Sequence, residues 1–217
     1  ESLDGHGPLR GAALRRTADR QPGLIPIYVW TERPIWNGNP CERAMAGMRI
    51  LFQSDTIARR LELLAAEIAA AMGDDLTIVG ILNGSFVFIA DLARALDRQA
   101  CAPRIDFIRL SSYGQRQRSS GKIELIGQPP PDLDGRQVLL VDDVVDSGRS
   151  MRFACKLLRQ GAAAEVLTCA LLDKPARREV DMVSDFLGFT IPDVFVVGYG
   201  IDYAGEHRHL PYISALS

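Results

Sequence analysis

Thirteen residues, Val138-Leu-Leu-Val-Asp-Asp-Val-Val-Asp-Ser-Gly-Arg-Ser150, constrain this chain more than any others. The four apolar residues 138–141 read as a short buried strand, which is expected to end abruptly at two carboxylates, Asp142 and Asp143. A third carboxylate, Asp146, follows, and then a small polar turn, Ser147-Gly148-Arg149-Ser150. An amphipathic run through Met151, Phe153, Ala154, Leu157 and Leu158 comes next. Strand, acidic pair, small-residue loop and helix start can together hold a sugar phosphate. Loop N–H groups and the positive end of the helix dipole would face an anion. The carboxylates would accept hydrogen bonds from two neighbouring hydroxyls. Asp after a strand and Ser-Gly are also common turn chemistry. Three carboxylates crowded at one strand end are harder to explain that way, because like charges cost energy unless something uses them.

A chain of 217 residues, 47% hydrophobic, can bury a full core as one domain, or one domain with a small appendage. Its net charge of −2 supplies no global basic field, so no nucleic-acid partner is expected. Cys41, Cys101, Cys155 and Cys169 are scattered without CxxC or zinc spacing, which suits reduced thiols in the cytoplasm. Only two of the histidines, His207 and His209, lie close together, so there is no metal triad. No apolar run approaches the roughly 20 residues needed to cross a bilayer, and a soluble protein without a membrane partner is expected. Residues 1–47 differ in character, with Gly, Pro, Arg, Trp30 and Trp36 but no sustained periodicity and no signal-peptide pattern. They read as an N-terminal extension or added leader, with Met45 or Met48 as possible starts, and 48–217 as the functional domain. The stretch Leu24-Ile-Pro-Ile-Tyr-Val-Trp30 is nevertheless apolar enough to pack.

The rest alternates strand and helix patterns. Ser54 or Asp55 can cap a helix over 54–72, with Ile57, Leu61, Leu64, Ile68 and Met72 on one face and Gly73 beyond its end. Strands are expected over 77–82, 105–110, 123–126, 166–172 and 194–197, and a second helix over 86–96. Pro129-Pro130-Pro131 breaks the chain, and Gly161 is a C-cap candidate. Strands separated by helices argue for a mainly parallel sheet with helices on both faces, and ligands at the carboxyl ends of its strands.

Several segments have a bland reading in isolation. Leu82-Asn83-Gly84-Ser85-Phe86 is an ordinary strand-to-helix turn, although its glycine lets backbone approach a ligand. A lone Lys174 is usually a solvated charge, and Phe195 is more often core than ligand contact. In order and together, however, these pieces resemble the hypoxanthine-guanine phosphoribosyltransferases, type I enzymes that use phosphoribosyl pyrophosphate (PRPP). The similarity runs from about Ile50 to the C-terminus. It rests on 82–86, on Asp106-Phe-Ile-Arg-Leu-Ser-Ser-Tyr113, on the acidic motif, and on Phe189-Thr-Ile-Pro-Asp-Val-Phe195-Val-Val-Gly-Tyr-Gly-Ile-Asp202-Tyr203. Orotate and adenine phosphoribosyltransferases are less similar around Lys174 and Phe195.

The resemblance implies the type I phosphoribosyltransferase fold, a mainly parallel twisted sheet flanked by helices with a small hood region. It implies purine salvage, in which hypoxanthine or guanine displaces pyrophosphate from PRPP to give IMP or GMP, with Mg²⁺ as cofactor and a homodimer or homotetramer as the assembly. Asp142 and Asp143 would hold the ribose hydroxyls directly or through the metal. The loop of Asp146, Ser147, Gly148, Arg149 and Ser150 would bind the 5′-phosphate. Asp146 would be the general acid/base at purine N7. Lys174 would donate to the 6-oxo group, Phe195 would stack on the ring, and the Val196 backbone would meet its exocyclic edge. Asp202, beside the purine, would bind Mg²⁺ near the pyrophosphate, with Asn83, Gly84 and Arg208 at the pyrophosphate end. Ser112 and Tyr113 would lead a mobile lid over 111–122 that excludes water from an oxocarbenium-like transition state.

This chain departs from the family pattern at three positions. Asn83 stands where some relatives carry a basic residue, which removes a positive charge from the pyrophosphate site. Asp142 replaces a common Glu, and Val194 a common Lys before the aromatic. Hypoxanthine, guanine and xanthine differ at C2, which backbone and water read, so residue identity leaves their order open. The competing classes are a nucleotide- or RNA-binding regulator on the same fold and a xanthine- or pyrimidine-specific transferase. The near-neutral charge and the presence of Asp146 and Lys174 favour the enzyme.

Overall fold

The computed structural model describes residues 48–112 and 123–216. β1 (Met48–Phe52) leads into α1 (Ser54–Met72), which buries Ile57, Leu61, Leu64, Ile68 and Met72 as the spacing predicts. Its N-cap is Gln53 rather than Ser54 or Asp55, and Asp55 instead places its charge in the first turn, where the helix dipole favours it. Gly73 ends the helix at a φ of 72°, where a side chain would be strained. Then come β2 (Leu76–Leu82), α2 (Phe86–Asp97), β3 (Arg104–Ser112), β4 (Ile123–Ile126) and β5 (Gln137–Val145). After α3 (Arg149–Gln160) and β6 (Glu165–Asp173), a 3-10 turn at Pro175–Arg177 leads to β7 (Phe186–Thr190), β8 (Val196–Val197) and β9 (Ile213–Leu216).

Six strands form one sheet in the order β4-β3-β2-β5-β6-β7, parallel except for β4. The connection from β2 moves one way across the sheet to β3, and that from β5 moves the other way to β6. Right-handed crossovers in opposite directions put their helices on opposite faces. Side-chain alternation along the strands then divides the core in two. Leu76 and Ile78 of β2 with Leu139 and Val141 of β5 pack under α1 and α2. Val79 and Ile81 with Val138 and Leu140 pack under α3. A second, antiparallel sheet, β1-β9-β8, is the hood.

Three further expectations need correction. The strand carrying the acidic motif does not stop at 141. Its pairing with β2 ends at Gly80↔Val141, but its pairing with β6 continues through Asp142, Val144 and Val145. The carboxylates thus lie on a strand supported on one edge and open on the other. The helix after the motif starts at Arg149, two residues early, because Gly148 supplies the left-handed turn with φ 80°. Gly161 does cap that helix, yet its φ is −80°, and the left-handed residue is Ala162 beside it. Finally, only Val196–Val197 of 194–197 is strand, since the Val194 N–H turns back to donate to Pro192 O.

β7 lies against β6 so closely that a Cβ on Gly188 would sit 2.4 Å from Leu171 O, which is backbone and cannot rotate away. Gly188→Ala is expected to destabilise the fold by about 1–3 kcal/mol, read as a lower urea midpoint. An unchanged midpoint would mean that β7 can lift from the sheet without loss.

Candidate active site

The crevice opens where β2 and β5 diverge, at the carboxyl ends of the strands, the usual ligand position in such a sheet. β2 exits into Asn83-Gly84-Ser85, across a cis Leu82–Asn83 peptide. Ser85 anchors this turn by donating from Oγ to Ile81 O at 2.5 Å. Gly84 is pressed on two sides. A Cβ there would lie 2.1 Å from Asp143 Oδ2, while its carbonyl oxygen lies 2.4 Å from where a Cβ on Gly200 would be. The 83–84 loop is therefore clasped between the acidic motif and the segment after β8.

Asp142 is only 7% exposed, and its Oδ1 accepts the Asp143 N–H at 3.0 Å. Burial, then the neighbouring Asp143 charge, holds the Asp142 carboxyl well above the usual carboxylate range. Burial raises Asp143 too, while its hydrogen bonds and the Arg208 charge pull the other way. Two adjacent carboxylates made uncomfortable in this way suit a cation or a pair of donating hydroxyls.

The sign of the stability effect follows. Because Asp142 keeps its proton to higher pH when folded than when unfolded, it favours the fold below the ordinary carboxylate pKa. That advantage is lost as pH rises through the shifted value. Asp142→Asn should therefore raise the Tm of the ligand-free protein at pH 7, with the gap to wild type shrinking towards pH 4. A lower Tm at pH 7 would show that the carboxylate is satisfied by something else.

Beyond β5, Lys174, 5% exposed, brings Nζ to 3.3 Å from Asp146 Oδ1. The angles at that contact do not make a hydrogen bond, so this buried oxygen keeps an unused acceptor position. Arg177 Nη1 lies 3.9 Å from the other Asp146 oxygen and joins it to Asp193, 2.6 Å from Arg177 Nε. Arg178 donates to the main-chain oxygens of Asp146 at 2.8 Å and Val145 at 3.3 Å, and pairs with Asp173. Sequence reasoning assigned nothing to Arg177 and Arg178. Their signal was two consecutive cations just beyond Lys174.

At the start of α3, Gly148 is buried, and a Cβ on it would come within 3.1 Å of Arg178, Val180 and Met182. Arg149 is exposed, with its guanidinium 2.7 Å from Glu179, and its N–H donates to Ser147 Oγ at 3.4 Å. Ser147 and Ser150 are half-buried at the loop and first turn.

On the hood side, Phe195 is 51% exposed and meets Tyr203 edge-on at 5.4 Å, while Val196 is buried. A half-exposed aromatic at a strand start leaves a ring face free for a planar ligand. Asp202 is already engaged, with Oδ1 2.7 Å from Arg208 and Oδ2 accepting the Gly205 N–H at 2.8 Å. Arg208 also donates to Gly200 O at 2.6 Å, within the segment that packs against Gly84 O. Among the described residues no three His, Cys, Asp or Glu gather as a metal cluster, so Asp202 does not join Asp142 and Asp143 in one site. The buried acidic pair suits a cation by its charge, whereas Asp202 would have to exchange Arg208 for one. Ser112 is the last residue of β3, and Tyr113 lies outside the described residues, as does most of the expected lid.

The phosphoribosyl transferase domain family matches residues 49–204, which takes in every motif above. A hypoxanthine-guanine phosphoribosyltransferase of Aquifex aeolicus is 39% identical over 168 residues, covering 76% of this chain and 93% of the relative. The chain belongs to the hypoxanthine-guanine phosphoribosyltransferase family. A hypoxanthine phosphoribosyltransferase of Escherichia coli is 43% identical over 141 residues, covering 65% of this chain and 78% of the relative. The solved Staphylococcus aureus hypoxanthine phosphoribosyltransferase superposes with a TM-score of 0.72 at 34% identity, over 78% of this chain and 91% of that one. A solved Trypanosoma cruzi enzyme reaches 0.73 at 33% identity, with the same two coverages of 78% and 91%. A hollow of about 770 Å³ lies between α1, α2 and the 199–211 segment and has Phe86 and Arg208 in its lining.

Proposed function

We propose that this phosphoribosyltransferase acts in purine salvage, transferring the 5-phosphoribosyl group of PRPP to hypoxanthine or guanine to give IMP or GMP and pyrophosphate. The observation that carries the reading is the adjacent carboxylate pair of buried Asp142 and half-buried Asp143 at the sheet's switch point, with the Asp146–Lys174 ion pair just beyond it. One half of that arrangement suits a diol. The other suits a base with one acceptor and one transferable proton.

In this reading, the 2′- and 3′-hydroxyls donate to Asp142 and Asp143, and the 5′-phosphate sits against the 146–150 loop at the start of α3. Pyrophosphate lies between the 83–84 backbone and Arg208. With Asn83 in that loop, amide N–H groups carry more of the binding than side-chain charge does. The purine stacks on Phe195, which leaves its edges to Lys174, to the Val196 backbone and to Asp146. Lys174 donates to the 6-oxo group, and the free acceptor on Asp146 takes the proton at N7 as the base attacks. Asp142 and Asp143 would hold Mg²⁺ at one position, and Asp202, on releasing Arg208 to pyrophosphate, would hold it at a separate one, where the metal would neutralise the leaving group. Residues 48–217 are the catalytic domain in this reading. Buried free thiols at Cys101, Cys155 and Cys169 support a reducing cytoplasm, and a homodimer or homotetramer is the assembly we infer.

The 6-position provides the test. A donor aimed at a 6-oxo group should reject the 6-amino group of adenine by about 10⁴-fold in kcat/KM. Lys174→Met should cut hypoxanthine turnover by about 10- to 100-fold and narrow the hypoxanthine-to-adenine ratio. Both bases meet the same Asp146, so the ratio isolates the 6-position. A ratio unchanged by the substitution would remove Lys174 from base recognition.

A further inference from the structure

Three consecutive carbonyls of the phosphate loop face the chain that follows β6. Val145 O accepts the Lys174 N–H at 3.1 Å and a weaker bond from Arg178 Nη1 at 3.3 Å. Asp146 O accepts Arg178 Nη1 at 2.8 Å. Ser147 O accepts the N–H groups of Glu179 and Val180 at 3.0 and 3.3 Å. A planar trans peptide points its N–H opposite to its C=O. The N–H groups of Asp146, Ser147 and Gly148 are thereby turned away from 174–180, towards the open β2 side of β5. There they join the first-turn N–H groups of α3 as a concave donor surface of the kind that binds anions.

Of these three carbonyls, Asp146 O is the one held by a side chain alone. Arg178 is largely buried and is fixed from behind by Asp173 at the end of β6. Its Cδ would lie 3.1 Å from a Cβ on Gly148, so its stem also packs under the left-handed turn at φ 80° that starts α3. One planar fork thus spans the end of β5, the end of β6 and the helix start. Lysine could not do the same, having a single nitrogen on a flexible stem.

We infer that Arg178 is a positioning residue that sets the peptide planes of the phosphate loop, and so determines affinity for the 5′-phosphate without touching it. The inference rests on the phosphoribosyl reading of the crevice. GMP and guanosine differ only in the 5′-phosphate, so the ratio of their dissociation constants isolates that group.

Calorimetric titration of both ligands into wild type, Arg178→Ala, Arg178→Lys and Asp173→Asn tests the inference. Arg178→Ala should reduce the GMP preference by about 10-fold or more, with guanosine binding moved by less than about 3-fold. Arg178→Lys keeps the charge but not the fork and should remain several-fold below wild type. Asp173→Asn, which loosens the anchor without removing the fork, should shift the ratio the same way by less, and it serves if the alanine variant does not fold. Equal weakening of both ligands would mark a merely structural role, and full recovery with lysine would mark a role of charge alone. Either result overturns the inference, as does an unchanged ratio. Wild type binding GMP no better than guanosine would instead sink the phosphate-loop reading itself.

Discussion

Replacing Asp146 with Asn is expected to lower turnover by a factor of about 10² or more while GMP affinity changes little. The side chain keeps its shape, and Asn can still present an oxygen to Lys174. What it loses is the ability to take a proton. That matters here because Asp146 Oδ1 is buried and accepts no hydrogen bond, although Lys174 Nζ is only 3.3 Å away. A buried acceptor with nothing to accept is costly unless a ligand completes it. The purine N7 proton would do so. Steady-state kcat with hypoxanthine, set beside the dissociation constant for GMP, separates the two roles. Turnover within about 3-fold of wild type would remove Asp146 as the acid/base, since positioned proton transfer contributes more than that. Parallel loss of GMP binding would make it a structural residue.

Gly84→Ala should be nearly as damaging for a different reason. The glycine is required by space, since a Cβ would land 2.1 Å from Oδ2 and 2.4 Å from Cγ of Asp143. Neither side can yield easily. Asp143 stands on β5 with a half-buried side chain, and Gly84 O is already held against Gly200. The methyl group must therefore displace either the Asp143 carboxylate or the 83–84 loop by the better part of an ångström. A misplacement of about 1 Å costs on the order of 10²-fold in rate. We expect kcat/KM for PRPP to fall by about that factor, with a circular dichroism spectrum like that of wild type. A variant with wild-type kcat/KM would show that loop and carboxylate move freely, contrary to the packing described.

Local patterns made much of this legible in advance. The buried stripe of α1 follows from residue periodicity, and the buried β2 and β5 from continuous apolar runs. The acidic motif falls at the carboxyl end of its strand, as the strand-and-helix pattern implied. Longer-range features were not legible in the same way. β1 finds its partner β9 at the far end of the chain, with Met48 opposite Leu216, and five residues carry no sign of that. The short β7, Phe-Leu-Gly-Phe-Thr, has its place because Gly188 lets it lie against Leu171. Pairing with β6 carries β5 past its carboxylates, a fact that belongs to β6 rather than to the motif. Arg177 and Arg178 look like surface charges until the fold brings them to Asp146. Asp202, expected to face a metal, is instead paired with Arg208, and only three-dimensional packing shows that competition.

Transfer of a phosphoribosyl group to a 6-oxopurine is measured as nucleotide formation from PRPP with hypoxanthine, guanine, xanthine or adenine, with Mg²⁺ or with EDTA in its place. IMP and GMP are expected with Mg²⁺, none with EDTA, and no nucleotide from adenine under either condition. Absence of nucleotide from all four bases, by protein that still binds GMP, would contradict that transfer.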